Sequence, residues 1–567
     1  EKVAVGIDVG SGSARCGVFT LDGKLLGSGK RDTHMHQPVD KPEMYQQSSD
    51  DIWEAVCEAT KTAMTEAGVG ADQVAGVGID ATCSLVSLDT SGKPLSVDPD
   101  DPESPWNIIV WLDHRANEQA ERINSQGHHA LRTVGGTISP EMEMPKLLWL
   151  KENLPKQWDR AGKFLDLSDF LTYKATGVDQ RSLCTTVCKW NFDAMPDSAK
   201  GWDDSFLQQI GLEGLTEDQI GEASKVSAMG ESIGEGLTAE AAKDLDLVAG
   251  TPVGVGIIDA HAGGLGVLGA RLDEDEVMDE TVLEKRLALV AGTSCCHMFS
   301  SKEPVFVPGV WGPYTSAMIP GMFLNEGGQS TAGKLLDFIT TTHDAYPKLQ
   351  KQADAQGISP FERLNELVEE YAEAEGIPKR KACFLAKDVH VNPDFFGNRS
   401  PLADPQMRGA VTGLHLSSSL RDLTVLYLAT IQALAYQTKH IIDAITEEGH
   451  APIETIFVSG GLAKNPLYLQ AHADATGCSI YLPEEPEAVL LGAAVLGARA
   501  GGAYPDIPMA MSNMNHQGEC VLPFQLECED ECDISVPSLH GCKYQVFRRM
   551  IDDQLAYRDI MDGAFLD

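Results

Sequence analysis

The stretch VAVGIDVGSGSARCGVF, Val3–Phe19, constrains the fold of this chain more than any other. An apolar run reads as a strand carrying one acid, Asp8. A turn of Gly10, Ser11, Gly12 and Ser13 follows, and a second strand resumes with Arg15 just behind the turn. The same grammar of apolar strand and glycine turn returns at VAGVGIDATCSLVSLDTSGKPL (Val74–Leu95), GTPVGVGIIDAHAGGLGVLGA (Gly250–Ala270), LALVAGTSCCHMF (Leu287–Phe299) and IETIFVSGGLAKNPLYLQAHADATG (Ile453–Gly477). Helical periodicity lies between these runs. Ile52, Val56, Ala59 and Ala63 share one face of an expected helix at Ser49–Ala67, and a long helical region spans Leu420–Glu447. Strands alternating with helices in both halves predict an α/β architecture.

A chain of 567 residues exceeds what one hydrophobic core holds, since single cores stop growing near ~250–300 residues. Two domains are expected, 1–247 and 248–567, with a C-terminal extension from about residue 502 packed on the second. The hydrophobic fraction of 43% and charged fraction of 23% are those of a soluble globular protein. The net charge of -40 argues against nucleic acid or an anionic membrane as partner, but local donors can still hold a small anion. No basic-then-apolar leader and no run long enough for a membrane helix stands in the sequence, so a cytoplasmic location is expected. The chain does not begin with Met, so a trimmed targeting segment stays open. Thirteen cysteines without a C-x-x-C pair read as reduced thiols, and Cys520, Cys528, Cys532 and Cys542 match no common zinc spacing.

Each turn admits a specific chemistry. Backbone N–H groups in a Gly/Ser turn form an anion nest, to which Ser11 and Ser13 add hydroxyls and Arg15 a charge. Asp8 repels phosphate but can hold a phosphate-bound Mg²⁺ through water. Gly292, Thr293 and Ser294 form a second Gly/hydroxyl turn, and Gly460 with Gly461 lets a flat ring approach the backbone. Asp259 stands where a strand meets a helix, as a general base or as an N-cap, and His261 reads as structural or as a neighbour of the site. GGQSTAGK ends in the G-x-x-x-x-G-K of a P-loop, Gly328–Lys334. Leu335 follows where that motif needs Ser or Thr, so it is rejected.

Taken in order, these stretches resemble the FGGY carbohydrate kinases, over roughly Val3–Arg499. KLLWLKEN (Lys146–Asn153) is similar to the core of one family signature, with Glu143 where a small residue is usual. NPDFFGNRSPLADPQMRGAVTGL (Asn392–Leu414) resembles the second-domain G-x-R-[ST]-P stretch. The resemblance implies a two-domain actin-like ATPase fold of ribonuclease H-like domains, with the active site in the interdomain cleft. It implies ATP held by Ser11, Gly12, Ser13, Arg15, Gly292, Thr293, Ser294, Gly460, Gly461 and Asn465, Mg²⁺ near Asp8, and Asp259 as catalytic base. Thr82, Cys83 and Ser84 occupy the family's substrate position. Glycerol kinases carry Arg-Glu, and xylulokinases Met-His, where Cys83 and Ser84 stand, whereas T-C-S-L-V is similar to the D-ribulokinase group. Lys189 and Glu326 match substrate-binding positions of ribulokinases, and WLDHRA (Trp111–Ala116) also resembles the ketopentose kinases. The implied reaction is transfer from MgATP to the terminal hydroxyl of a ketopentose, D-ribulose first. L-ribulose, xylulose and pentitols stay open as substrates, as do an actin-like ATPase acting through conformational change and a homodimer.

Overall fold

The computed structural model describes residues 2–273, 275–524 and 535–563. The chain divides into two compact units: Glu1–Glu284 with Met298–Asn325 and Pro483–Gly518, and Lys285–His297 with Glu326–Leu482 and Glu519–Asp567. The division does not coincide with the boundary expected at 247/248. Residues 248–284 stay with the first unit, because Ile257–Ile258 pairs in parallel with the end of Val74–Ala81. Residues 502–518, expected on the second domain, also belong to the first unit, and only the chain from Glu519 lies in the second.

In the first unit, one five-stranded sheet runs in the order Ile257–Ile258, Val74–Ala81, Val3–Val9, Ser13–Thr20, Leu25–Asp32. The first three strands are parallel and the last two turn back as antiparallel ribbons. Val3–Val9 is buried along its whole length, as a central strand covered on both faces must be. The Ser49–Ala67 helix lies where periodicity places it, starting at the Ser48 cap and ending at Gly68 in the left-handed region. Its face of Ile52, Val56, Ala59 and Ala63 is buried in the core formed with Val3, Val5, Ile7 and Val77.

The other face of this sheet meets the Ala488–Ala500 helix at unusually short range. A Cβ on Gly78 would stand 1.8 Å from the Ala493 carbonyl oxygen, and one on Gly6 2.2 Å from that of Leu490. Backbone therefore packs on backbone. This is why sequence near residue 490 belongs with sequence near residue 78. A smaller antiparallel sheet of Gln46–Gln47, Ile108–Ile109, Leu85–Asp89 and Ala161–Asp166 extends the unit.

In the second unit, Arg286–Ala291 pairs in parallel with Thr455–Ser459, which pairs in parallel with Ser479–Pro483. The Leu420–Glu447 helix has the expected bounds, opened by the Ser419/Asp422 capping box. Leu428, Ala429 and Ala433 on it pack with Val368, Ala386 and Val391. The Val536–Gly563 helix adds Phe547 and Ile551 against Tyr436 and Met407.

Candidate active site

Three carboxyls leave the first sheet at neighbouring strand ends. Asp8 pairs in register with Asp80, and Asp80 with Ile257, two residues before Asp259. Parallel strands bring their C-terminal ends to one edge, the usual place for ligands in open α/β sheets. Asp8 is only 3% exposed and takes Arg15 Nε and Nη2 on its Oδ2, at 2.8 and 2.5 Å. Arg15 Nη1 donates to Glu487 Oε2 at 2.6 Å. The guanidinium, expected on phosphate, is thus taken up by two carboxylates and orients Asp8. Both Arg15 bonds fall on Oδ2 and neither on Oδ1. With Asp259 this makes a hard-oxygen pair whose chemistry fits Mg²⁺.

Asp259 opens the Asp259–Leu265 helix but does not cap it; Ile258 holds the cap position, and Asp259 Oδ1 accepts the Ala260 N–H at 2.7 Å. Burial and then the charge of Asp8 push its pKa from 3.8 up to about 6, with the Ala260 N–H, His261 and Lys189 acting in the opposite direction. Such a carboxylate is ionised at neutral pH and more basic than an exposed one. Asp80, which sequence reasoning passed over as a site residue, is fully buried, and neither oxygen meets an N–H or hydroxyl donor. Burial and the adjacent Asp8 drive its pKa well above the carboxylate range. The repeated G-I-D was the available signal.

The expected substrate loop sits among buried charges. Cys83 is 8% exposed, and its thiol, pushed up to about 12 by burial, feels Lys189, Asp166, Lys146 and Asp259. Thr82 and Ser84 share a hydroxyl bond of 3.1 Å, and Ser84 Oγ accepts the Trp111 N–H. Ser84 is fully buried and shapes the loop from behind. Lys189 is 5% exposed, with Nζ 4.6 Å from the Trp311 ring centroid, so it is no surface lysine. Glu143 and Lys146 lie 3.7 Å apart, both fully buried, and burial lifts Glu143 to about 7. Glu143 therefore belongs to this buried charged group. In the first turn, Gly10 N–H donates to Ser13 O at 3.0 Å, and Ser11 Oγ accepts from Trp111 Nε1 at 2.8 Å. The Ser11 hydroxyl hydrogen remains to be donated.

In the second unit, Gly292–Ser294 and Gly460–Gly461 follow the ends of the paired strands Arg286–Ala291 and Thr455–Ser459. Gly460 has φ +92°, and a Cβ there would stand 2.5 Å from the Ala291 carbonyl oxygen, so only glycine allows the two loops to meet. Asn465 caps the Pro466–Thr476 helix and donates to the Tyr427 hydroxyl at 2.8 Å, which braces the loop after Gly461. The rejected P-loop stretch is indeed strand, turn and helix. Its Ala332, Gly333 and Lys334 N–H groups, however, donate to the carbonyl oxygens of Thr293 and Gly292. They support the Gly292–Ser294 turn rather than an anion. Glu326, 6% exposed, accepts from Arg399 Nη2 at 2.7 Å. Arg399 was legible only as part of the G-N-R-S-P stretch.

Family models of the FGGY carbohydrate kinases match this chain over residues 3–266 for the N-terminal domain and 287–501 for the C-terminal domain. The chain belongs to the FGGY family of carbohydrate kinases. It is 47% identical over 565 residues to the FGGY carbohydrate kinase domain-containing protein of Homo sapiens, covering 99% of this chain and 98% of that one. It is 41% identical over 519 residues to a D-ribulokinase of Saccharomyces cerevisiae, covering 88% of this chain and 72% of the yeast protein. Among solved structures, the xylulose kinase of Rhodospirillum rubrum superposes with a TM-score of 0.76 at 18% identity, covering 98% and 99% of the two chains. The fold is the two-domain actin-like fold of FGGY sugar kinases, and the chain is a sugar kinase by family. No helix among the described residues is long and apolar enough to cross a membrane. Cys528 and Cys532 lie outside the described residues.

Proposed function

We propose that this kinase transfers the γ-phosphoryl group of ATP to the terminal hydroxyl of a ketopentose, D-ribulose, giving D-ribulose 5-phosphate and ADP. The observation that carries the chemistry is Asp259, held at about 6 beside Asp8 at a strand end. The sugar hydroxyl oxygen bonds to the γ-phosphorus, the bond from phosphorus to the β–γ bridging oxygen breaks, and the hydroxyl proton passes to Asp259. General base catalysis of this kind contributes ~10²–10⁴-fold.

In this reading, Ser11, Gly12, Ser13, Gly292, Thr293 and Ser294 bind phosphate oxygens, and Gly460, Gly461 and Asn465 form the adenosine side. Arg15 holds Asp8 in place. Mg²⁺, when bound through water near Asp8, offsets phosphate charge. Thr82, Cys83, Lys189 and Glu326 face the sugar, and Ser84 shapes their loop. Polar contacts from buried groups discriminate strongly, since an epimer leaves one of them unpaired. The choice of D-ribulose rests on Cys83–Ser84 together with the name of the yeast relative.

The test is sugar-dependent ADP release with MgATP across D-ribulose, L-ribulose, D-xylulose, L-xylulose, ribitol, D-arabinitol and glycerol. A preference for D-ribulose supports the reading. A preference for another member overturns the sugar assignment but keeps Asp259. Absence of sugar-dependent release with every member overturns the ketopentose reading.

A further inference from the structure

The short Leu183–Lys189 helix carries more than Lys189. Cys184 and Cys188 stand four residues apart on it, so their thiols share one face. The Asp259–Leu265 helix sets His261 against that face, with Cys184 Sγ 3.0 Å from His261 Nδ1. One ligand atom from each residue lies within 4.8 Å of the others, and all three side chains are buried. Two thiols and an imidazole converging in a dry interior are a polar set that apolar packing does not call for.

We propose that Cys184, Cys188 and His261 form a zinc-binding site, distinct in ligand chemistry from the Asp8 and Asp259 carboxylates. Sulfur and imidazole donors select Zn²⁺ over Mg²⁺, which takes oxygen. Bond lengths of about 2.3 Å to sulfur and about 2.0–2.1 Å to nitrogen, set tetrahedrally, put sulfur and nitrogen about 3.6 Å apart. The Cys184–His261 contact opens by roughly half an ångström to admit the ion. Binding takes both sulfurs as thiolates and His261 Nδ1 as a lone-pair donor, so the thiol protons and any proton held between Cys184 and His261 are released to solvent. Three protein ligands leave a fourth coordination position open.

The site has a mechanical consequence that rests on the proposed function. Cys188 precedes Lys189, and His261 lies two residues beyond Asp259. A bound ion therefore ties together the two helices that present the sugar-binding lysine and the base.

The binding test needs neither sugar nor nucleotide, so its failure is separable from failure of the kinase reading. Full-length protein is reduced, stripped with chelator and titrated with Co²⁺ as a spectroscopic stand-in. The background carries Cys520→Ser, Cys528→Ser, Cys532→Ser and Cys542→Ser to remove the C-terminal thiols. One equivalent of Co²⁺ is expected to produce a thiolate-to-cobalt charge-transfer band, displaced by one equivalent of Zn²⁺. Cys188→Ser and His261→Gln should each weaken binding, and Cys184→Ser with Cys188→Ser should abolish the band, with circular dichroism confirming that the variants are folded. A titration without a charge-transfer band overturns the site whatever the variants do, and so does a band that persists in the folded double variant.

Discussion

Replacing Asp259 by Asn should move activity and stability in opposite directions. In metal-free protein, burial and Asp8 hold this carboxyl at about 6 against an ordinary 3.8. An acid whose pKa is raised by folding favours the folded state in its protonated form. That contribution is present below the unfolded pKa and is lost as pH rises from 3.8 through about 6. About two pH units at 1.36 kcal/mol each set a ceiling of about 3 kcal/mol on the strain of the charged form at pH 7. Solvent reaching the part-exposed carboxylate lowers this, so a gain of about 1–3 kcal/mol is expected on neutralising it. Asn keeps the shape and can still accept the Ala260 N–H through its amide oxygen. Urea unfolding in chelator at pH 7 should show a higher midpoint for Asp259→Asn, and the gain should shrink toward pH 5. Coupled ADP release should fall by ~10²–10⁴-fold while nucleotide binding is kept. Turnover within about tenfold of the parent would refute the base assignment. A lower midpoint would refute the electrostatic argument.

Further perturbations test the parts around it. In the parent enzyme, kcat/KM should fall about tenfold per pH unit below about 6, as Asp259 takes up its proton, and stay level above; a flat profile down to pH 5 counts against it. Glu326→Gln removes the charge facing Arg399 at 2.7 Å, an interaction worth about 1.5–3 kcal/mol, so the sugar KM should rise roughly 10–100-fold at saturating MgATP. A KM within twofold of the parent, by the same assay, would leave Glu326 without a substrate role. Lys189→Met keeps the stem over Trp311 and removes the charge; it should raise sugar KM and leave MgATP binding unchanged, as measured by titration calorimetry. Gly78→Ala places a Cβ 1.8 Å from the Ala493 carbonyl and should yield unfolded protein. Gly541→Ala, on an open helix face, should raise stability by about 0.5–1 kcal/mol in urea unfolding.

Much of the candidate site was legible because the features that mark it are local. Asp8 and Asp259 each end an apolar run, and a strand end facing a glycine turn can be read within ten residues; Asp80 ends such a run without a glycine turn after it and was not read as a site residue. The Ser49–Ala67 and Leu420–Glu447 helices were legible for the same reason, since capping and a 3.6-residue period act within a turn. The failed P-loop was legible too, through one wrong residue, Leu335. Partners far along the chain were not. Glu487 is 472 residues from Arg15, and Arg399 is 73 from Glu326, and no periodicity links either pair. Cys184 and His261, 77 residues apart, matched no spacing rule because they meet across two helices.

The sequence by itself determined the α/β class, the strand-end acids and the glycine turns, because these follow from burial patterns and backbone freedom within single elements. Tertiary structure alone decided that Pro483–Gly518 completes the first unit, by laying the Ala488–Ala500 helix on Gly6 and Gly78. It also decided the surroundings of the three acids. Asp8, Asp80 and Asp259 are three identical side chains in the sequence; in the fold Asp8 is paired with Arg15, while burial and the charge of Asp8 raise the pKa of Asp80 well above the ordinary carboxylate value and that of Asp259 to about 6. Coulomb energies depend on which charges are brought together and how much water is excluded, and the chain order of the residues carries neither.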